Sequence, residues 1–209
     1  MNFHIMSAEL IIRMYGAHQI IILVCIQQSL RFFQHMLNDV CAHHAIDRTR
    51  VFASGTSMGN LMVQYLALKK PQWLTAIAPT SGIIHMIGGE IMLNLDDVKH
   101  RDRIDIPVWM FGGEMEAWLL DWIPAPGNRT GKTLYAWWEL NQMHGDPPTD
   151  FTDSKTVMER WHDWTYEKDG IPMLKFTGID YYPHGSNPEM SYRIWTEFFS
   201  KLSRSADGT

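Results

Sequence analysis

Cysteine is scarce in this 209-residue chain, and long apolar runs are missing from it. Two cysteines, Cys25 and Cys41, are too few for a disulfide framework and have no metal-ligand spacing, so both are expected as reduced core residues. The run Ile20-Ile21-Ile22-Leu23-Val24-Cys25-Ile26 falls well short of the ~20 residues that a helix needs to cross a bilayer, and no membrane span is expected. It also lacks a basic leader and a clear small-residue cleavage site, so it reads first as a buried strand, with a signal-like segment as the alternative. None of the ten histidines stands in a His-Glu-x-x-His pattern, so no metal or cofactor is implied. Positive charge is short as well. Eighteen Lys and Arg against 23 Asp and Glu leave a formal net charge of -5, which argues against a nucleic-acid partner. Repeats, low-complexity tracts and linkers are absent, so one domain over 1–209 is expected, with an atypical segment at 1–27 and a frayed tail at 203–209.

What is present is the composition of an ordinary globular protein, 45% hydrophobic and 20% charged. Leu30, Phe33, Leu37, Val40 and Cys41 follow a helical stripe between Ser29 and His44. Short apolar strands are expected at Val51–Ala53, Ala76–Pro79, Ile106–Phe111 and Met173–Ile179. A helix should follow the first of these, with Leu61, Met62, Tyr65, Leu66 and Leu68 in phase and Pro71 ending it. Tyr135–Leu140 reads as helical, His144–Asp153 as a loop, and Asn187-Pro188-Glu189 as the start of a last helix carrying Trp195, Phe198, Phe199 and Leu202. Strands alternating with helices point to an α/β fold with a mostly parallel sheet flanked by helices.

Nine residues stand out: Val51-Phe52-Ala53-Ser54-Gly55-Thr56-Ser57-Met58-Gly59. A strand that runs into Gly-x-Ser-x-Gly and then into a helix has the form of the nucleophile elbow of α/β-hydrolases. Such a turn exposes a serine hydroxyl beside N–H donors able to receive a developing oxyanion. Ser57 is the candidate nucleophile and the Met58 N–H the candidate donor. Both Gly55 and Gly59 are expected to be sterically required, since a side chain would collide with the neighbouring strand or helix.

In this arrangement the acid and the histidine follow the serine in that order, on loops leaving strand ends. His184, in Tyr181-Tyr182-Pro183-His184-Gly185, sits between the last expected strand and the last helix. The strand ending at Phe111 leads into Gly112-Gly113-Glu114-Met115-Glu116, the usual exit for the acid. Glu116 is the first choice, with Glu114 and Asp121 as rivals. A carboxylate is needed to hold the imidazole in the tautomer that accepts the serine proton. Trp118 and Trp161 are candidates to line a substrate pocket, whereas Trp137, Trp138 and Trp164 read mainly as core.

The segment Ile46–Gly59, followed by Ala76-Ile77-Ala78-Pro79-Thr80-Ser81-Gly82, resembles the polyhydroxybutyrate depolymerase and feruloyl esterase group of serine esterases. His184 with Ile194-Trp195-Thr196-Glu197-Phe198-Phe199 is similar to that group's histidine loop and closing helix, and the likeness runs over roughly residues 28 to 203. It implies hydrolysis of carboxylic esters, small or polymeric, through Ser57, His184 and Glu116, with no cofactor; its members are often secreted. Gly113-Glu114-Met115-Glu116 falls where the group carries Gly-x-x-Asp, with Glu in place of Asp. Asn60 stands where a second glycine is common. Few residues precede Ser57 compared with the group, so some N-terminal strands are expected to be lacking. Tyr15-Gly16-Ala17 is the only candidate for a second oxyanion donor. A non-catalytic relative keeping a ligand cleft, and a peptidase or thioesterase with the same triad, are the alternatives.

Overall fold

The computed structural model describes residues 18–83, 104–151 and 154–205. The chain divides into two compact units, Met1–Arg48 and Thr49–Thr209. The first contributes one long helix, α1 (His18–His43). Residues 20–26 are therefore helical and not the expected strand. A short apolar run does not by itself distinguish the two, and this one continues in phase into the stripe of Leu30, Phe33 and Leu37. Cys41 lies on α1 as a free, half-buried thiol and not in a core. The side chain of Cys25 and the segment Tyr15-Gly16-Ala17 lie outside what is described.

Among its described residues the second unit holds six strands: β1 (Phe52–Thr56), β2 (Ala76–Thr80), β3 (Val108–Gly113), β4 (Lys155–Met158), β5 (Trp161–Lys168) and β6 (Ile171–Ile179). They form one sheet in the order β1-β2-β3-β6-β5-β4. The first four in that order run parallel, and β5 and β4 extend the sheet antiparallel. Parallel neighbours need crossovers, and α2 (Met58–Lys69) makes the first of them, from β1 to β2. In chain order α3 (Arg129–Leu140) follows β3, and α4 (Pro188–Arg193) follows β6. Every residue of β2 and of β3 is buried, as expected of strands covered on both faces.

The β4–β5 extension is not among the expected strands, although a signal for its junction with β6 exists. Asp169 and Gly170 separate β5 from β6 with φ of 54° and 77°, and Asp-Gly is the pair that suits a tight hairpin needing two positive φ values. The last helix begins as expected, with the Asn187 side chain accepting from Met190 N at 2.8 Å. After Arg193 it widens over Ile194–Phe198 and tightens over Phe199–Lys201. Phe198, Phe199 and Leu202 are buried against Trp109 and Phe111, while Trp195 is exposed instead of joining that stripe.

A buried ionic cluster anchors α4 to the sheet. Arg193 is 3% exposed and donates to Asp163 Oδ2 at 2.7 Å and to Glu197 Oε1 at 2.8 Å. Lys175 lies 3.6 Å from the centre of the Trp109 ring, and its burial lowers the ammonium pKa despite the nearby Asp163. Charges this deep persist only when paired, so the cluster fixes the helix that directly follows the His184 loop.

Candidate active site

All four parallel strands deliver their C-terminal ends to one edge of the sheet, the place where open α/β sheets bind ligands. β1 ends in Ser57, β2 in Ser81, β3 in the turn Glu114–Glu116, and β6 in the loop that carries His184.

Ser57 has φ 58° and ψ −117°, a strained turn between β1 and α2. Its N–H donates to Thr80 O at 3.2 Å, and its hydroxyl does not cap α2. The two strands are pinned at this point by a 2.7 Å hydrogen bond between the Thr56 and Thr80 hydroxyls. Met58 is the first residue of α2. Its N–H is thus one of the helix-start donors with no partner inside the helix, while its side chain is exposed.

The two elbow glycines are unequal. A Cβ on Gly55 would lie 2.5 Å from the Gly59 carbonyl oxygen, a clash with backbone that nothing can move aside. A Cβ on Gly59 would meet none of the described residues within 4 Å, so the expected steric need there is corrected: Gly59 supplies the close backbone, not the missing side chain. Gly55→Ala is expected to destabilise the fold by about 1–3 kcal/mol or more. Gly59→Ala, in an open helical position, should be neutral or stabilising by up to about 1 kcal/mol. Thermal denaturation of the two variants checks the contrast.

His184 and Glu116 are in direct contact. The imidazole Nδ1 lies 2.6 Å from Glu116 Oε1, and Glu116 Oε2 accepts from Gly113 N at 2.7 Å. Glu116 is 0% exposed, so both carboxylate oxygens are satisfied out of water. With the carboxylate ionised, Nδ1 must carry the proton and donate it, which leaves the Nε2 lone pair as the acceptor. The two rival acids point elsewhere: Glu114 Oε2 accepts from Tyr181 N at 2.7 Å, and Asp121 Oδ2 accepts from Arg129 Nε at 3.1 Å.

Trp118 is 69% exposed, with its ring centre 5.4 Å from that of His184. Trp161 is corrected as a pocket residue. It is 7% exposed and lies in the core, its ring edge-on to Phe111 and close to the Arg193 guanidinium. Trp137 and Trp164 are buried, and Trp138 is half-buried.

Arg129 holds the segment that carries Glu116 and Trp118. It donates to Ala117 O at 2.7 Å, and its backbone and side chain both bond Asp121. Burial raises the Asp121 pKa, but the hydrogen bonds and charge of Arg129 outweigh it and the net shift is downward. A carboxyl held below its unfolded value stabilises the fold fully above the ordinary carboxylate range, and the contribution fades as pH falls through the folded value. Asp121→Asn should therefore lower stability at neutral pH by under about 1 kcal/mol, since the pair is partly exposed. Denaturant titrations should show that difference vanishing in strong acid.

Ser57 is joined to His184 through three intervening residues. Thr80 O takes the Ser57 N–H, and the next residue, Ser81, bonds both backbone polar groups of Gly185, the neighbour of His184. Asn60 is no idle departure either. It is fully buried, and Nδ2 donates to the same Thr80 carbonyl at 3.2 Å. Gln64 Nε2 donates to Asn60 Oδ1 at 2.6 Å, and Trp137 Nε1 to Gln64 Oε1 at 2.9 Å. The visible signal is a polar pair four residues apart on the buried face of α2, where Gln–Asn hydrogen bonds form.

Among the described residues no group of three or more His, Cys, Asp or Glu converges as metal ligands, and no helix is long and apolar enough to cross a membrane. The fold is that of an α/β-hydrolase-like protein, a mostly parallel sheet flanked by helices. No family model matches the chain, and no curated protein does. Among solved structures it is similar to one described as the crystal structure of a thermostable esterase. The two are 17% identical with a TM-score of 0.51, and the match covers 85% of this chain and 37% of that one. The chain thus spans little more than a third of that protein's length, and the likeness is one of fold.

Proposed function

We propose that the protein is a serine hydrolase of carboxylic esters. The observation that carries this is the buried Glu116 carboxylate 2.6 Å from the His184 imidazole, at the same sheet edge as a serine held at φ 58°. Ser57 Oγ attacks the ester carbonyl, and His184 Nε2 takes the hydroxyl proton. The Met58 N–H receives the charge that develops on the carbonyl oxygen. His184 then returns the proton to the departing alcohol, and water hydrolyses the acyl-enzyme along the reverse path. Glu116 holds the productive tautomer throughout and stabilises the imidazolium.

Trp118, exposed beside His184, supplies a flat apolar wall for one side of the ester. The resemblance to polyhydroxybutyrate depolymerases and feruloyl esterases makes hydroxyalkanoate esters and esters of aromatic acids the first substrates to try. The protein of similar fold is itself a thermostable esterase, which agrees with that choice of reaction. A fluorophosphonate probe tests the reading, with the adduct located by peptide mass spectrometry. Modification of Ser57, with turnover of esters above that of matched amides and thioesters, is expected. Folded protein that takes no label and turns over none of them would overturn it.

A further inference from the structure

We propose that Ser81 is a positioning residue of this site: its hydroxyl clasps the His184 loop to the strand exit that holds the Ser57 amide. The proposal rests on the triad assigned above and adds a residue which touches neither substrate nor imidazole.

Ser81 is 1% exposed and has φ 53°, the left-handed region that glycine enters freely and other residues enter at a cost. A buried serine here carries a conformational cost that glycine would not, which directs attention to what its side chain holds. Ser81 Oγ accepts from Gly185 N at 3.0 Å and donates to Gly185 O at 2.6 Å, gripping both polar groups of one residue 104 positions away. The backbone of the same short segment ties the other strands. Ser81 N donates to Phe111 O at 2.9 Å within β3, and Thr80 O accepts from Ser57 N just past the end of β1. Two consecutive residues therefore connect the turn of the nucleophile, the strand that leads to the acid, and the loop of the histidine.

Gly185 needs such a hold. Its φ of 144° is itself glycine-like, and a Cβ there would meet none of the described residues within 4 Å. On that side, among the described residues, the loop is placed by the hydrogen bonds of Ser81 and not by packing at Gly185. Without the clasp the loop gains freedom relative to both Ser57 and Glu116, so the His184 Nδ1–H bond to Glu116 is held less firmly. A displacement of about 1 Å at a reacting group is enough to lower a rate on the order of a hundredfold.

The test uses the full chain with Ser81→Gly, which removes the hydroxyl and relieves the strain together, and Ser81→Ala, which removes only the hydroxyl. Thermal melting, kcat and KM on a p-nitrophenyl ester, and the downfield proton resonance of His184 Nδ1–H are measured for each. Ser81→Gly should melt no lower than Ser81→Ala. In both, kcat should fall about 10- to 100-fold while KM changes little. The imidazole resonance should broaden or move upfield. Wild-type kcat with an unchanged resonance would overturn the proposal. So would loss of folding in both variants, which would make the clasp purely structural. If the unsubstituted protein neither labels nor turns over esters, the triad reading fails by itself. The resonance then decides the Ser81 clasp alone: a shift supports it and no change refutes it.

Discussion

Ser57→Ala should abolish capture by a fluorophosphonate and lower kcat for ester hydrolysis by about a millionfold, the loss typical of removing the nucleophile of a serine triad. The side chain removed caps no helix, so the effect should be on chemistry alone, with the melting temperature close to that of the unsubstituted protein. Ser57→Gly separates the two contributions further. It should be equally inactive yet more stable, because φ 58° and ψ −117° cost a glycine little. Paired kinetics and thermal melts of the two variants check both halves. A Ser57→Ala protein that keeps the wild-type rate would move the nucleophile elsewhere.

Glu116→Gln should cost about a hundredfold less, though still several orders of magnitude, through a different route. The carboxylate accepts from two donors, Gly113 N–H and His184 Nδ1–H, in a site with no access to water. A carboxamide has one acceptor and one donor end, so it cannot satisfy both. If the oxygen stays with Gly113, the amide N–H faces the imidazole and forces the proton to Nε2, which can then no longer accept one from serine. A change of this kind, wrong tautomer with geometry kept, lowers kcat by about ten-thousandfold. The opposite orientation leaves a buried N–H against an N–H, at about 1–3 kcal/mol of stability. Steady-state kinetics and a thermal melt of one variant distinguish the routes. Glu114→Gln and Asp121→Asn, whose carboxylates serve Tyr181 and Arg129, should leave kcat within a few-fold.

The strand, tight turn and helix around Ser57 are legible in the sequence because their requirements are local, within one short stretch. The position of His184 is legible for a related reason, since a loop between a last strand and a last helix has few places to go. The choice among three acids is not, because Glu114, Glu116 and Asp121 differ only in which way a short turn points them. That direction is set by Met115 N donating to Tyr182 O and by the hold of Arg129 on the following loop, contacts between segments distant in sequence. Trp161 misleads because residue type alone does not tell a pocket wall from a core wall. Gly59 misleads because the missing volume belongs to its neighbour Gly55. Residues 20–26 mislead because a short apolar run fits strand and helix alike. Ser81 and Asn60 leave almost no mark, since a buried hydrogen bond to the backbone has no sequence pattern beyond one polar residue among apolar ones.

An experimental structure of the fluorophosphonate adduct is the most direct test of the central claim that one hydroxyl, one imidazole and one carboxylate act together. The phosphorus should be bonded to Ser57 Oγ, one phosphoryl oxygen should lie about 3 Å from Met58 N, and His184 Nε2 should lie within about 3 Å of Ser57 Oγ or of the other polar oxygen on phosphorus. An adduct on any other residue, or an imidazole on the order of 10 Å from Ser57 with no path for a proton, would contradict it.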